Sequence, residues 1–197
     1  MATIVIATKN PGKAREFSEM LTPKGIEVKT LADFPTFAID ENGTTFEENA
    51  TIKAQTACQQ LGLPVLADDS GLVVDALNGA PGVHSARYAG DHDDAANNAK
   101  LLCELADVAP EKRTAHFHTT IVGMKPDGTK LVANGEVKGH ILMELTGTHG
   151  FGYDPLFYVD ELGTSMGDLT ADQKNAISHR GRALRQFMEN FNNWWED

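Results

Sequence analysis

Leu66-Ala67-Asp68-Asp69-Ser70-Gly71-Leu72 runs an apolar segment straight into two adjacent carboxylates, a hydroxyl and a glycine. Carboxylates at the end of a buried strand cost free energy unless something pairs them. A divalent cation is one such partner, and oxygen ligands suit Mg²⁺. A polar turn is the other reading, because Asp, Ser and Gly are turn residues. Further acids stand at Asp40, Glu41, Glu47 and Glu48. Glu47 and Glu48 lie where helix capping and the helix dipole use them, whereas Asp40 and Glu41 have no such local use.

Cations gather at two places. Thr8-Lys9-Asn10-Pro11-Gly12-Lys13 reads as the end of a strand, a turn and the start of a helix. Backbone N–H groups at such a start favour anions, and Lys13 adds a full charge. The spacing of a P-loop is absent. From Lys174 to Arg185 the chain carries four Lys/Arg and no acid. Lys174, Ser178 and Arg182, spaced at four, are expected to share one helix face. An ordinary capped helix and a solvated basic face explain either group alone. Together with the acids they offer both halves of Mg²⁺-assisted phosphoryl chemistry, which sets carboxylates and cations around a polyphosphate.

The composition narrows the field. A chain of 197 residues is most simply one domain, and 41% hydrophobic with 23% charged residues is ordinary for a globular protein. A net charge of -11 argues against non-specific nucleic-acid binding. The apolar runs fall far short of a membrane span, and the N-terminus has no signal-peptide pattern. A cytoplasmic location is the expectation. Cys58 and Cys103 form no CxxC, so two reduced, buried thiols are expected rather than a zinc site. His116 and His118 lack a third nearby ligand.

The elements that must position these groups follow from pattern. Strands are expected at residues 3–8, 27–31 and 65–67, the last kinking at Ser70-Gly71 before another at 72–77. Helices are expected from Pro11, from the capping box Thr45-Phe46-Glu47-Glu48 to Leu61, over 93–108, and from Thr170-Ala171-Asp172-Gln173 without interruption to about Asn192. Residues 114–124 and 130–135 read as a hairpin, extended by 137–145. The glycine-rich loop Gly147 to Pro155 precedes a strand at 156–159. This is an α/β chain with a mixed central sheet and flanking helices.

Six stretches, in order and over nearly the whole length, carry a resemblance. They are Thr8 to Lys13; Thr45 to Ala50 with Lys53-Ala54; Ala67 to Leu72; Gly79 to Gly82 with Ser85 to Tyr88; Gly150 to Pro155; and Lys174 to Gly181. In these the chain resembles the inosine/xanthosine triphosphate pyrophosphatases, which remove non-standard purine nucleotides. The resemblance implies two lobes around a cleft, a homodimer, and Mg²⁺-dependent cleavage of ITP, dITP or XTP to the monophosphate and pyrophosphate. It implies that Thr8, Lys9, Asn10, Pro11, Gly12 and Lys13 bind the triphosphate. Asp69 would be general base and metal ligand, Ser70 a substrate contact, and Glu41 the second metal ligand, with Asp40 its alternative. Asp68 and Lys53 would shape the catalytic centre. Phe151, Gly152, Tyr153, Asp154, Lys174, His179 and Arg180 would hold base and phosphates, with Phe151 stacking on the purine. The chain departs from the family pattern at Lys9, often Gly, and at Asp40-Glu41, often Glu-Glu. A pyrophosphatase for other modified nucleotides and a non-catalytic nucleotide sensor are the alternatives.

Overall fold

Ile4, Val5 and Ile6 are apolar at successive positions, so in a strand they need cover on both faces. In the computed structural model, which describes residues 2–8, 11–91 and 93–196 (backbone only at 11, 12 and 16), they receive it. Strand β1 (Thr3–Ile6) pairs in parallel with β2 (Glu27–Thr30) and with β3 (Val65–Val74). Side chains alternate along a strand. Ile4, Ile6 and Leu66 therefore enter one core, with Phe17 and Leu21 of α1 (Pro11–Leu21) and with Leu184, Phe187 and Phe191 of α5 (His179–Glu196). Val5, Ala7, Val65 and Ala67 enter another, with Ala50, Ala54 and Ala57 of α2 (Phe46–Leu61). Helix α2 starts on the expected capping box, with Thr45 Oγ1 accepting from Glu48 N at 3.1 Å, and stops at Gly62 in the left-handed region.

Apart from the end of β3 and the start of α5, these elements belong to one of two compact units, formed by residues up to 69, 120–134 and from 183 on; the other comprises 70–119 and 135–182. The second unit has its own core. Leu72 and Val74 join Leu101 of α3 (Asp94–Glu104), Phe117 of β4 (Thr114–Met124), Val137 of β5 (Lys130–Ile141) and Phe157 and Val159 of β6 (Phe157–Val159). Strand β6 runs antiparallel to β5 and to β7 (Thr164–Ser165). Gly139 on β5 is obligatory, because a Cβ there would overlap Tyr158 O and press on the Phe157 ring at 2.9 Å. The seven strands form one sheet in the order β2-β1-β3-β4-β5-β6-β7. The mixed α/β sheet with flanking helices is thus as expected. Among the described residues, no helix is long and apolar enough to cross a membrane.

Four local expectations are corrected. Strand β3 runs unbroken from 65 to 74, so Ser70-Gly71 is no kink; both carboxylates have cationic partners and the chain has no need to turn out to water. Strand β5 is likewise continuous past Gly135. The C-terminal helix is two helices. Ser178 is extended (ψ 155°), ends α4 (Ala171–Ile177) and caps α5 by accepting from Gly181 N at 3.1 Å. That break removes the shared face: Lys174 pairs with Asp154, while Arg182 pairs with Glu161 and donates to Glu136 O at 3.0 Å. Finally, Cys58 is buried as expected but Cys103 is exposed.

Among the described residues the most deeply buried cation is Arg113, 1% exposed. It donates to the carbonyls of Val108 (2.9 Å), Leu142 (3.3 Å) and Leu105 (2.6 Å). Arg113→Met leaves those acceptors without their donor, and is expected to lower the unfolding free energy in a urea titration by roughly 3 kcal/mol.

Candidate active site

The two carboxylates of β3 sit in mid-strand and face opposite ways. Leu66 lies on the α1 side of the sheet and Ala67 on the α2 side, so alternation sends Asp68 toward α1 and Asp69 toward α2. Each meets a lysine from the helix on its side. Lys13, in the first turn of α1, places Nζ 2.7 Å from Asp68 Oδ2. Lys53, two turns into α2, places Nζ 3.3 Å from Asp69 Oδ1 and 3.0 Å from Glu41 Oε2. Two acids adjacent in sequence are therefore two separate ion pairs, and they cannot chelate one ion together.

The Lys53 cluster is acid-rich. Burial acts to lower the Lys53 pKa, but the charges of Asp69, Asp68 and Glu41 overcome it and hold the ammonium above its ordinary range. Burial pushes the Asp69 carboxyl up; Lys53 opposes that, the nearby Glu41 charge adds to it, and the Asn49 amide and Lys53 act against it by hydrogen bonding. Asn49 is buried in the first turn of α2, and its Oδ1 accepts from Gly43 N at 2.8 Å. It thus ties the loop that carries Glu41 to the helix that carries Lys53. A Cβ on Gly43 would press into Asn49 Oδ1 at 2.7 Å, so a glycine belongs there.

Asp69 Oδ2 is buried without a hydrogen-bond partner. Such an atom calls for a ligand or cation. Among the described residues no three His, Cys, Asp or Glu side chains converge as a ready-made metal cage. One or two carboxylates are nevertheless the usual protein share of a Mg²⁺ site, with phosphate oxygens and waters completing it. Asp69 and Glu41 fit that donor set; Asp40 makes none of the contacts given for Glu41.

Other expected site residues fall in the same unit. Thr8 follows β1 and is half-buried, with its N–H donated to Ile6 O at 2.9 Å. Pro11 and Gly12 open α1. Lys9 and Asn10 lie outside the described residues.

The second unit holds the remainder. Ser70 is half-buried in β3. Phe151 is the exposed large hydrophobic of its loop, 57% accessible. The loop folds about Asp154: this buried carboxylate accepts from Phe151 N at 2.9 Å and pairs with Lys174. Gly150, at φ 81°, passes so close to Asp154 that a Cβ would overlap it. Lys174 Nζ also lies 4.3 Å from the Phe151 ring centroid, a cation–π contact. Tyr153 is buried, donates to Ser85 O at 2.8 Å, and has its phenol pushed up by burial. His179 and Arg180 are buried at the start of α5, and His179 stacks on Phe117 with centroids 4.9 Å apart. Phe151 and Gly152 are thus accessible, whereas Tyr153 and Asp154 brace the loop from inside. Asn49 and, on α3, Asp94 and Asn98 were not singled out as site residues from sequence. Asn49 and Asn98 are polar residues at helix positions that pack inward, whereas Asp94 is exposed in the first turn of α3.

The model of the Ham1 family matches residues 4–190. The chain is 61% identical over 194 residues, 98% of this chain and 96% of the relative, to a protein of Lactiplantibacillus plantarum named dITP/XTP pyrophosphatase. It is 55% identical over 188 residues to a Listeria monocytogenes protein of the same name, covering 94% of this chain and 93% of that one. Among solved structures, the Ham1 protein of Staphylococcus aureus superposes with a TM-score of 0.91 at 42% identity, covering 97% of this chain and 98% of that one. A HAM1 protein from Coxiella burnetii gives 0.92 at 43%, covering 98% and 100%. With the family model spanning almost the whole chain, and relatives this similar at full length, the protein belongs to the Ham1 family.

Proposed function

We propose that the protein hydrolyses non-standard purine nucleoside triphosphates, ITP, dITP and XTP, to the monophosphate and pyrophosphate. One arrangement carries the reading: a half-buried Asp69 with a buried, unpartnered oxygen, held by Lys53 beside Glu41, with Lys13 at a helix start paired to the adjacent Asp68. The names of the relatives support the same substrates.

Water attacks the α-phosphorus, the bond from that phosphorus to the bridging oxygen of pyrophosphate breaks, and the water's proton passes to Asp69. A carboxyl raised by burial is a better base for this than an ordinary one. Lys53 keeps Asp69 oriented. Lys13 and the N–H groups opening α1 attract the triphosphate. Asp69 and Glu41 would hold Mg²⁺, which when bound neutralises phosphate charge. In the second unit Phe151 would stack on the purine. A 6-oxo group accepts hydrogen bonds where adenine's 6-amino group donates them, so donors at that edge reject ATP by being left unpaired. The protein acts as a homodimer in the cytoplasm.

In a panel reading pyrophosphate release, ITP, dITP and XTP are expected to be cleaved far faster than ATP, GTP or dUTP. Chelation by EDTA should abolish turnover and added Mg²⁺ restore it; undiminished cleavage in EDTA would exclude the metal. Asp69→Asn should lower kcat by about 10²–10⁴-fold while the variant still binds nucleotide. Glu41→Gln should raise the Mg²⁺ concentration needed for half-maximal rate, measured by titration at saturating ITP; an unchanged requirement would remove Glu41 from the metal site.

A further inference from the structure

Helix α3 holds both polar groups of the Gly152 peptide. Asp94, in the first turn, accepts from Gly152 N through Oδ2 at 2.7 Å. Asn98, one turn on, donates from Nδ2 to Gly152 O at 2.9 Å. Residues four apart on a helix lie one above the other, so this pair grips a single residue from two successive turns. Asn98 is 7% exposed, which fixes its amide in place.

The same helix grips a second segment. Asn97 Oδ1 accepts from Ala89 N at 2.6 Å and from Gly90 N at 3.2 Å, its Nδ2 donates to Ala86 O, and Lys100 donates to Tyr88 O at 2.9 Å. Tyr153 closes the figure by donating to Ser85 O. Ser85 in turn receives Leu72 N of β3 at 2.9 Å. The loop bearing Phe151 is thus held at Gly152 by α3, at Tyr153 through Ser85 by β3, and at Asp154 by Lys174.

Of these bonds, the two to Gly152 hold a residue outside the core cluster. Gly152 is a glycine at φ 61° in a surface loop, with no atom near its would-be Cβ. Two polar side chains committed to one such peptide make sense if the position of its neighbour, the exposed Phe151 ring, matters. We propose that Asp94 and Asn98 are positioning residues for the purine platform: they fix Gly152 so that Phe151 is ready to stack before the nucleotide arrives. The proposal rests on the purine-nucleotide reading above. Preorganisation of this kind acts on binding of the base and not on the hydrolytic step.

The test uses the full-length protein and its Asp94→Ala, Asn98→Ala and Asp94→Asn variants. Hydrogen exchange at residues 150–154, read by mass spectrometry without ligand, should speed up in both alanine variants and stay near the original rate in Asp94→Asn, whose amide oxygen still accepts. For ITP, each alanine variant should raise KM about tenfold, the scale of one hydrogen bond, with kcat within about twofold. Affinity for inorganic pyrophosphate should not change. Asp94 is exposed, so its variants are expected to fold even if Asn98→Ala does not. Unchanged exchange in Asp94→Ala overturns the clamp whatever the substrate. Faster exchange with unchanged KM for ITP, or with kcat falling alongside pyrophosphate affinity, overturns its positioning role. Failure of the unaltered protein to cleave ITP is a separate result, which refutes the purine-triphosphate reading and leaves the exchange data to decide the clamp.

Discussion

Two carboxylates in the middle of a strand covered on both faces are the constraint on which the first unit turns. Buried alone, each would cost several kcal/mol or take up a proton. The sheet resolves this by sending Asp68 to the α1 side and Asp69 to the α2 side, where Lys13 and Lys53 wait. Both lysines must therefore come from helices already docked, and those helices dock through Phe17 and Leu21 on one face and Ala50, Ala54 and Ala57 on the other. The small residues of α2 let its backbone lie close to the strands, bringing Lys53 within reach of Asp69. Packing of the core and placement of the charges are one arrangement.

The two pairs differ in what they leave over. Asp68 and Lys13 form a close pair with Asp68 only 2% exposed. Asp69 shares Lys53 with Glu41, so one cation faces two acids and an Asp69 oxygen stays without a partner. A site that leaves an acid partly uncompensated is less stable than it could be and better suited to receive a proton or a cation. Asn49 fixes the Glu41 loop at Gly43, which holds this arrangement in place.

In the second unit the same economy of polar groups appears in a loop. Asp154 points inward to gather Phe151 N and Lys174, and the result is an aromatic ring turned outward. Lys174 serves twice, as ion-pair partner and as the cation beside that ring. A basic run that reads as a solvated helix face is in fact divided by Ser178 into residues with separate tasks.

Much of this is local and readable in the chain. The capping boxes at Thr45 and Thr170, the stop at Gly62 and the apolar run Ile4 to Ile6 need only neighbours in sequence, and six short motifs in order suffice to suggest the family. What the chain alone leaves open depends on partners far away in sequence. Whether Ser70-Gly71 turns is decided by whether Asp68 and Asp69 find cations, and those are 55 and 16 residues distant, at Lys13 and Lys53 (68 − 13 and 69 − 53). Whether Lys174 and Arg182 share a face is decided by the bond from Gly181 N to Ser178. The contacts of Asn49, Asp94 and Asn98 are invisible for the same reason: a polar side chain on a helix has a meaning only when the loop it holds has folded against it. Residue type and spacing determined which chemistry this protein could carry; the opposite facing of Asp68 and Asp69, set by strand alternation, decided which cation each of the two acids meets.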